Sequence, residues 1–531
     1  MPVLVAGVVL VVVPLAVMVR TVLTEGTDGI ATALDRPGLA VAVLHTVGLA
    51  LAVVVLAVPV GTLLALLLRS GDLPCAGLLR ACVLLPVLVP DFVLAYSWLR
   101  AYGASGFTDD VLHVSWPGLE GPAGVVVVVA VNVVPLSYLV LAAGLVARSE
   151  PDQERAARMS GAGPLIVLRT VTLPSLAPVL AGAAVLVFVL ALGAFAIPEV
   201  LGSPAGFGTV TTRIYADLSR SSDPAAFVEA MVLALLLVVV AFAVVAPADS
   251  LVTPRLRVTR AAVTEPAGSR RVRRTRAGWT AAAAIGGYLV LTVGVPLLAL
   301  VATALSRAVG LSPVPANWTT ANLRAVLTGR TAEAFGRSLL LAAVAAVLLV
   351  VLGVAVAALE RLRAGRWMAT AVTLTFVLPG STLAVALLVG YGRWLGGSLL
   401  LILLAYLAKL WAFAHRPISG ALDRLPPEEL AAARVSGASL PAAVVGVVLR
   451  PLSPALLVAG LVCFLTALHE VTMSSLLYGP GNETLAVVVL NSEELGQVGL
   501  TASLSLLLTA VVVLPGAACW LVARRLERRR P

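Results

Sequence analysis

The chain has 531 residues, of which 60% are hydrophobic and 12% are charged, and its mean hydropathy is +1.04. No soluble domain buries that much apolar surface, so the composition excludes a soluble protein and indicates one that crosses a membrane many times. The net charge of +10 is compatible with nucleic-acid binding. The arginines lie in loops between apolar runs, however, so membrane topology explains them better and we expect no nucleic-acid partner.

Twelve segments are apolar over about the 20 residues that a membrane-spanning helix needs. They are residues 3–19, 39–68, 78–99, 123–147, 177–198, 226–248, 279–304, 338–359, 367–390, 398–414, 453–472 and 498–523. The first segment could be a signal peptide, but no basic residue precedes it, so we interpret it as a membrane helix. The sequence therefore predicts an all-α polytopic membrane protein with about 12 transmembrane helices.

The arginines indicate how these helices are oriented. If the N-terminus is cytoplasmic, the segments on the cytoplasmic side contain 26 of the 36 arginines. Basic residues favour the cytoplasmic side of a membrane, so this bias predicts a multi-pass cell-membrane protein whose N- and C-termini are both cytoplasmic.

The chain also divides into two similar halves. Gly61 recurs as Gly353 at a shift of 292 residues, and other matches occur at nearby shifts. We therefore predict a six-span half at 1–249, a basic cytoplasmic linker at 250–278 and a second six-span half at 279–531. Because the halves run in the same direction, we expect a parallel repeat related by a pseudo-two-fold axis along the membrane normal. The basic linker could alternatively bind anionic lipids.

One polar stretch occurs twice, at residues 151–162 and 427–438, and seven of its twelve positions are identical. Each copy begins with proline, has acidic residues in its first turn and arginine near its end, and is followed by Gly161 or Gly437. Proline suits the first helical position, the charges complement the helix dipole, and glycine supplies the left-handed residue that ends a helix. The sequence therefore predicts two short, capped polar helices within a very apolar protein.

This stretch resembles the cytoplasmic coupling loop of ABC-importer permeases, in which Glu-Ala-Ala-x-x-x-Gly precedes a Leu-Pro pair. The position that the family usually fills with Glu has Arg155 and Ala431 here, with the acids displaced by one or two positions. The resemblance covers almost the whole chain and implies a fused, two-domain permease of a binding-protein-dependent importer. It implies that the ATPase-coupling residues are Glu154, Ala156, Ala157, Arg158, Gly161, Ala162, Glu429, Ala432, Ala433, Arg434, Gly437 and Ala438.

The same resemblance implies the partners of the chain. They are two ABC ATPase subunits on the cytoplasmic face, one for each polar helix, and an extracytoplasmic substrate-binding protein. A phosphate-binding P-loop needs a lysine after its glycines, and the only lysine of the chain, Lys409, follows Ala408 within a span. We therefore expect a permease subunit that is not itself an enzyme and binds no cofactor, with ATP hydrolysed by the partner.

Polar and ionisable residues within spans, or at their ends, are candidates for the translocation path. They are Asp91, Asn132, Glu199, Lys409, His469 and Glu470. Each has a structural alternative, since Asp91 could cap the helix that restarts after Pro90 and Lys409 or Asn132 could form interhelical hydrogen bonds. The other three could simply mark the outer ends of helices. The spacing of cysteines and histidines indicates no metal site.

The stretches that follow the polar helices, at 191–198 with 211–215 and at 470–481, resemble ferric iron permeases, so ferric iron is the expected cargo. Fused permeases for thiamine or phosphonate-like substrates have the same layout. The major-facilitator secondary transporters also have twelve spans in two parallel halves, but their cytoplasmic signature lies between spans two and three. Here the repeated stretch lies between spans four and five, which favours the importer permease.

Overall fold

The computed structural model describes residues 2–24, 31, 33–69, 73–148, 151–257, 275–308, 310–311, 314–360 and 375–527. The predicted linker is therefore outside the described residues over 258–274. The described residues are almost entirely helical, as the composition predicts.

The helices of the first part of the chain are α1 (Val5–Thr24), α2 (Leu39–Arg69), α3 (Ala76–Leu88), α4 (Asp91–Tyr102), α5 (Phe107–Leu112), α6 (Pro122–Arg148), α7 (Pro151–Met159), α8 (Pro164–Leu192), α9 (Val210–Ser219) and α10 (Pro224–Arg257). Those of the second part are α11 (Arg276–Leu305), α12 (Ala321–Val326), α13 (Gly329–Glu360), α14 (Gly380–Leu395), α15 (Leu399–Leu422), α16 (Pro427–Val435), α17 (Val444–Leu468), α18 (Thr472–Leu477), α19 (Leu485–Glu494) and α20 (Val498–Glu527).

Ten of the predicted spans are confirmed as helices that are long and apolar enough to cross a membrane. The third predicted span, 78–99, is instead a pair of helices, α3 and α4, bent by 100° at a short break. The ninth, 367–390, begins outside the described residues, and α14 forms its described part. The described ranges therefore contain ten such helices, or eleven if the bent pair is counted as one span.

Prolines explain the break between α3 and α4. Val89 and Pro90 have extended backbones, with ψ of 123° and 141°. Proline has no N–H to donate and disfavours a helical conformation in the residue before it, so the helix ends there and restarts at Asp91. Pro379, immediately before α14, has the same extended backbone, with ψ of 146°. The two halves therefore share a proline break at the corresponding place.

The chain forms two compact units, each of which contains segments from both sides of residues 250–278. The first unit consists of 1–37, 213–238 and 324–496. Helices α13, α15 and α17 pack against one another at its centre, and α1 packs against α14. In this unit the first span of the chain therefore contacts helices of the second half.

The second unit consists of 38–212, 239–323 and 497–531. Helices α2, α6 and α8 pack together at its centre, and α11 packs against α4 and α20. Its three central helices are the counterparts of α13, α15 and α17 in the repeat.

Equivalent glycines allow equivalent helix contacts in the two units. A Cβ atom added to Gly61 on α2 would lie 2.5 Å from the hydroxyl oxygen of Ser137 on α6. A Cβ atom added to Gly353 on α13 would lie 3.0 Å from the Cβ atom of Ala414 on α15. Glycine is needed at position 61, where the neighbouring helix leaves no room for a Cβ atom, and it allows a close but less restrictive approach at position 353. The Gly61 and Gly353 match in the sequence therefore reflects the same packing.

Candidate functional site

The repeated polar stretch forms two helices of nine residues each, α7 and α16. The residues that follow them, Gly161 and Gly437, have φ of 85° and 89°, which confirms the predicted left-handed stop. Ala162 N–H donates to Ala157 O at 3.0 Å, and Ala438 N–H donates to Ala433 O at 3.1 Å. These bonds, with those from the glycine N–H groups, satisfy carbonyls that would otherwise be unpaired at the helix end.

The two helices, which we call the motif helices, present the same faces. Ala157 and Ala433 are half-buried, as are Ala162 and Ala438 after the glycines. Of the other coupling candidates, Glu154 is half-buried. The rest are exposed, and they are Ala156, Arg158, Gly161, Glu429, Ala432, Arg434 and Gly437. Among the described side chains, each motif helix therefore buries one narrow face partly and leaves the other coupling candidates, except Glu154, exposed.

Each motif helix ends in an exposed apolar side chain that the sequence analysis did not single out. Met159 is 83% exposed and Val435 is 90% exposed, and the two residues correspond at the shift of 276. Single exposed apolar side chains are common on protein surfaces, so it is their recurrence at equivalent positions of the two helices that makes Met159 and Val435 candidates for a docking contact. The signal was present in the sequence, because both residues interrupt a polar stretch at the same position.

Glu154 connects the first motif helix to neighbouring helices. Its carboxylate accepts hydrogen bonds from Arg69 at the end of α2, at 3.4 Å, and from the Thr172 hydroxyl on α8, at 3.2 Å. Arg158 lies 3.8 Å from the other carboxylate oxygen. The corresponding position of the second motif helix is Leu430, so this polar anchor is specific to the first repeat.

In the second unit the structure brings together two of the predicted path residues, Asp91 and Asn132. The Asn132 side-chain amide on α6 donates to an Asp91 carboxylate oxygen at 2.9 Å. Asp91 is the first residue of α4, where a negative charge is favoured by the helix dipole. Pro90 is the residue that caps this helix, so Asp91 stabilises the restart by its charge and its bond to α6.

Lys409 on α15 of the first unit, near the repeat position of Asn132, also contacts a break. Its ammonium group donates to the carbonyl oxygens of Phe376, at 3.0 Å, and Leu378, just before Pro379. It also lies 5.7 Å from the centre of the Phe376 ring. Backbone carbonyls freed at a break within a membrane need donors, and Lys409 supplies them. The polar residues Asn132 and Lys409 therefore stabilise the proline breaks of the two halves.

Glu470 acts at a helix beginning. Its carboxylate accepts the N–H groups of Met473 at 2.9 Å and Ser474 at 3.1 Å, so it caps α18. The Ser474 hydroxyl in turn lies 2.7 Å from that of Tyr406 on α15. His469, between α17 and Glu470, is half-buried.

Glu199 lies in the short helix Pro198–Gly202, which follows α8 in the first half. It is 6% exposed, and one of its carboxylate oxygens accepts the Ser203 hydroxyl at 2.9 Å. Within the described residues, His, Cys, Asp and Glu form no group of three that could bind a metal ion. The carboxylates of Glu199 and Glu470 at these helix ends are therefore engaged by local polar partners.

The sequence did not reveal two equivalent sets of hydrogen bonds, one in each half. In each set, two neighbouring side chains near the start of the second span bind the backbone at the start of a later helix. In the second unit, His45 donates from Nδ1 to the Gly208 carbonyl at 3.0 Å, and the neighbouring Thr46 hydroxyl accepts the Val210 N–H at 2.8 Å. This pair of contacts, which we call the first clamp, fixes the beginning of α9.

The second clamp, in the first unit, has the same form. Arg337 donates from Nε to the Glu483 carbonyl at 3.2 Å, and the Ser338 hydroxyl accepts the Leu485 N–H at 2.7 Å at the start of α19. His45 corresponds to Arg337 at the shift of 292 that relates Gly61 to Gly353. Comparison at that shift could have found the clamps, but histidine and arginine are dissimilar enough to hide the match.

The family described as binding-protein-dependent transport system inner membrane component matches residues 57–258 and 349–530. Each match contains one motif helix followed by its glycine. The chain belongs to this family. It is therefore an ABC-type, binding-protein-dependent permease with two tandem copies of the family domain, and the alternative of a major-facilitator transporter is excluded.

Individual relatives agree on this class and differ in solute. A probable ABC transporter permease protein, y4fN, of Sinorhizobium fredii is 27% identical over 494 residues, covering 89% of this chain and 85% of that protein. The molybdenum transport system permease protein ModB of Mycobacterium tuberculosis is 36% identical over 215 residues, covering 40% of this chain and 79% of that protein. The trehalose/maltose transport system permease protein MalF of Thermococcus litoralis is 35% identical over 154 residues, covering 27% of this chain and 52% of that protein.

Proposed function

We propose that this permease forms the translocation path of an importer and couples to two separate ATPase subunits through its motif helices. The observation that carries this proposal is the equivalence of α7 and α16. Both are short, polar and ended by a left-handed glycine, and both expose an apolar side chain, Met159 or Val435, at the same position. Two equivalent docking helices on one chain favour two copies of one partner, or two similar partners.

The arginine distribution supports the orientation of this assembly. Segments next to both motif helices are rich in arginine, which favours the cytoplasmic side and places both termini there. Each motif helix is followed by a single span, α8 or α17, and then by α9 or α19. In this orientation α9 and α19 lie on the extracytoplasmic side, where a substrate-binding protein delivers the solute. ATP is hydrolysed by the partner subunits, and this chain supplies the membrane path.

In this proposal the non-helical segments before α4 and α14 line the translocation path. Irregular backbone at membrane depth is tolerated where it is buried in protein or lines a cavity, and importer sites are often built from such broken helices. Asp91 with Asn132, and Lys409, stabilise these breaks, while Glu199, His469 and Glu470 lie where α8 and α17 end. In this proposal Asp91, Asn132, Lys409 and Glu470 shape the path chiefly by fixing its backbone, and Glu199 and His469 are candidates for its lining.

Ferric iron is the proposed cargo, and molybdate is its main rival. The resemblance of residues 191–198 and 470–481 to ferric iron permeases supports iron. The 36% identity to a molybdenum permease supports an oxyanion instead. Thiamine and phosphonates remain further alternatives because fused permeases of the same layout import them.

The cargo is tested in proteoliposomes that contain the permease, its ATPase subunits and its binding protein. We expect ATP hydrolysis to rise when the binding protein is loaded with ferric iron, and to stay at its basal rate with molybdate or thiamine. Stimulation by molybdate alone would show that molybdate rather than ferric iron is the cargo, and it would leave the coupling proposal intact. A permease that retains no ATPase subunit, in a preparation whose ATP hydrolysis responds to no loaded binding protein, would overturn the coupling proposal itself.

A further inference from the structure

Helices α9 and α19 occupy the same place in the two halves of the chain. Each has ten residues, follows the span after a motif helix, and precedes the last span of its half. Their first residues, Val210 and Leu485, are the ones whose N–H groups the two clamps bind. They are therefore equivalent elements of the repeat, and a contact that joins them connects the two halves directly.

Such a contact exists in the first unit, at the end of α19. The Tyr215 hydroxyl on α9 donates to Glu494 Oε1 at 3.2 Å. Arg220, one residue beyond α9, donates from Nη2 to the same oxygen at 2.7 Å, and its guanidinium lies 5.2 Å from the centre of the Tyr215 ring. Three side chains, two from the first half of the chain and one from the second, thus meet at one carboxylate.

The elements on both sides of this contact are firmly fixed. On the first side, Arg213 of α9 pairs with Glu229 of α10, whose side chain is fully buried, and donates to the Pro37 carbonyl at 2.9 Å. Arg36 pairs with the same Glu229 at 3.1 Å. On the other side, the second clamp fixes the start of α19. Because α9 and α19 are anchored independently, the contacts of Tyr215 and Arg220 with Glu494 depend on the distance between the two helices.

The contact differs in character from the anchors around it. Separating a buried ion pair leaves an uncompensated charge, so Arg213 and Glu229 stay together. The side chains of Arg220 and Glu494 are 48% and 32% exposed, and ion pairs at such positions contribute little and separate readily. Burial, and then the nearby Glu494 carboxylate, raise the pKa of Tyr215 well above its usual value, so its hydroxyl remains a donor at physiological pH.

We propose that Tyr215, Arg220 and Glu494 form a reversible latch that joins the extracytoplasmic ends of the two halves and must open in each transport cycle. This inference rests on the proposed function, since it takes its orientation from the coupling helices. Firm anchors on each side allow the helices to move as units, while the weak contact between them allows the ends to separate. The latch is closed in this structure.

A covalent restraint tests the latch directly. Arg220 and Glu494 are replaced by cysteine in a chain whose own cysteines are replaced by alanine, and the purified complex with its ATPase subunits is treated with a short bismaleimide. We expect efficient cross-linking without nucleotide, little cross-linking with ATP and vanadate, and ATP hydrolysis reduced to background once the link has formed. The control is Ser105→Cys with Asp109→Cys, two neighbouring residues at the beginning of α5, whose link should leave hydrolysis unchanged.

Charge variants provide a second, reversible measurement. Glu494→Gln and Arg220→Gln should raise basal hydrolysis roughly two- to fivefold, the change expected from losing a partly exposed ion pair. The double exchange Arg220→Glu with Glu494→Arg should return it towards the original rate. Arg330→Gln, which removes a 90% exposed partner 4.0 Å from Glu483, is the matched control and should change nothing.

The outcomes separate the latch from the coupling proposal. If the 220–494 link forms equally with and without ATP and leaves hydrolysis intact, the latch is wrong while the coupling proposal stands. If the wild-type permease retains no ATPase subunit, the coupling proposal fails first. A link that forms without nucleotide, forms little with ATP and vanadate, and stops hydrolysis supports both. A link that forms only with ATP and vanadate contradicts the latch.

Discussion

Gly161 and Gly437 adopt nearly the same left-handed backbone, with φ of 85° and 89°, although 276 residues separate them in the chain. A Cβ atom added to either glycine would meet no other atom within 4 Å. Space therefore does not explain the glycines. The backbone conformation does, because residues with a Cβ atom adopt it only at a cost.

We predict that Gly161→Val and Gly437→Val each weaken ATPase association. A β-branched residue in this conformation costs about 1–2 kcal/mol, which favours a different helix end and displaces the motif helix. Co-purification of the ATPase subunits with each variant measures the effect. Gly163→Val is the matched control, since Gly163 also lies in open space but has φ of −67°. Full ATPase binding by both variants would show that the left-handed stop is not needed for coupling.

Met159 and Val435 should contribute to the same interface through their exposed apolar side chains. Burying such a side chain against a partner contributes about 1.5–3 kcal/mol, so Met159→Ser or Val435→Ser should weaken ATPase binding by up to that amount. Titration of the solubilised permease with the ATPase measures the dissociation constant. Met159→Leu keeps the apolar volume and should bind normally. An unchanged affinity in both serine variants would place the docking surface elsewhere.

Lys409→Met should destabilise the permease, because the carbonyls of Phe376 and Leu378 lose their donor. Leaving such groups unsatisfied costs about 1–3 kcal/mol, whereas Lys409→Gln keeps an N–H donor and should recover part of the loss. Thermal unfolding in detergent gives the stability, and ATP-driven uptake gives the function. If Lys409→Met is as stable as the wild type but transports nothing, the lysine acts on the cargo rather than on the break.

Asp217 on α9 should make the stability depend on pH. Burial, and then the Glu229 carboxylate, raise the pKa of Asp217 from 3.8 to about 7, against the opposing effect of Arg213 and Arg36. The native state therefore binds this proton more tightly than the unfolded state, and the free energy of unfolding falls as the pH rises from about 4 to about 7. Asp217→Asn stays neutral, so its stability advantage should grow across this range and then level off.

Thermal unfolding of Asp217→Asn and wild type at a series of pH values measures this difference. Asp223→Asn is a control, because the pKa of Asp223 is shifted in the opposite direction to that of Asp217. The Ala225 N–H, and then Arg36, lower the pKa of Asp223, so its charge stabilises the native state above its usual pKa and that stabilisation is lost in acid. The asparagine variant should therefore be less stable than wild type at neutral pH. Parallel pH profiles for Asp217→Asn and wild type would contradict the predicted titration.

Local chemistry explains how much of this fold could be predicted from the sequence. Apolar length alone identified ten spans, because a membrane helix must satisfy its backbone within one segment. The prolines at 90 and 379 marked the breaks, but the 100° bend between α3 and α4 depends on what the helices pack against. The packing of α1 on α14 was not predictable either, because chain order does not determine which half a helix contacts.

The candidate site shows the same division. The ends of the motif helices were predicted because Gly161 and Gly437 act on their own turns. The targets of Lys409 are carbonyls more than 30 residues away in the chain, so only the folded structure reveals them. The clamps of His45 and Arg337 were missed because one position has different donors in the two halves, and the shared feature is a hydrogen bond rather than a residue type.

The central claim, that one permease chain couples to ATPase subunits through two equivalent helices, is tested most directly by a native mass measurement. The permease is expressed with its ATPase and substrate-binding partners, solubilised, and weighed as an intact complex. The account predicts one permease chain with two ATPase subunits. A permease that carries no ATPase subunit, in a preparation that still transports its solute on a proton gradient, would contradict it.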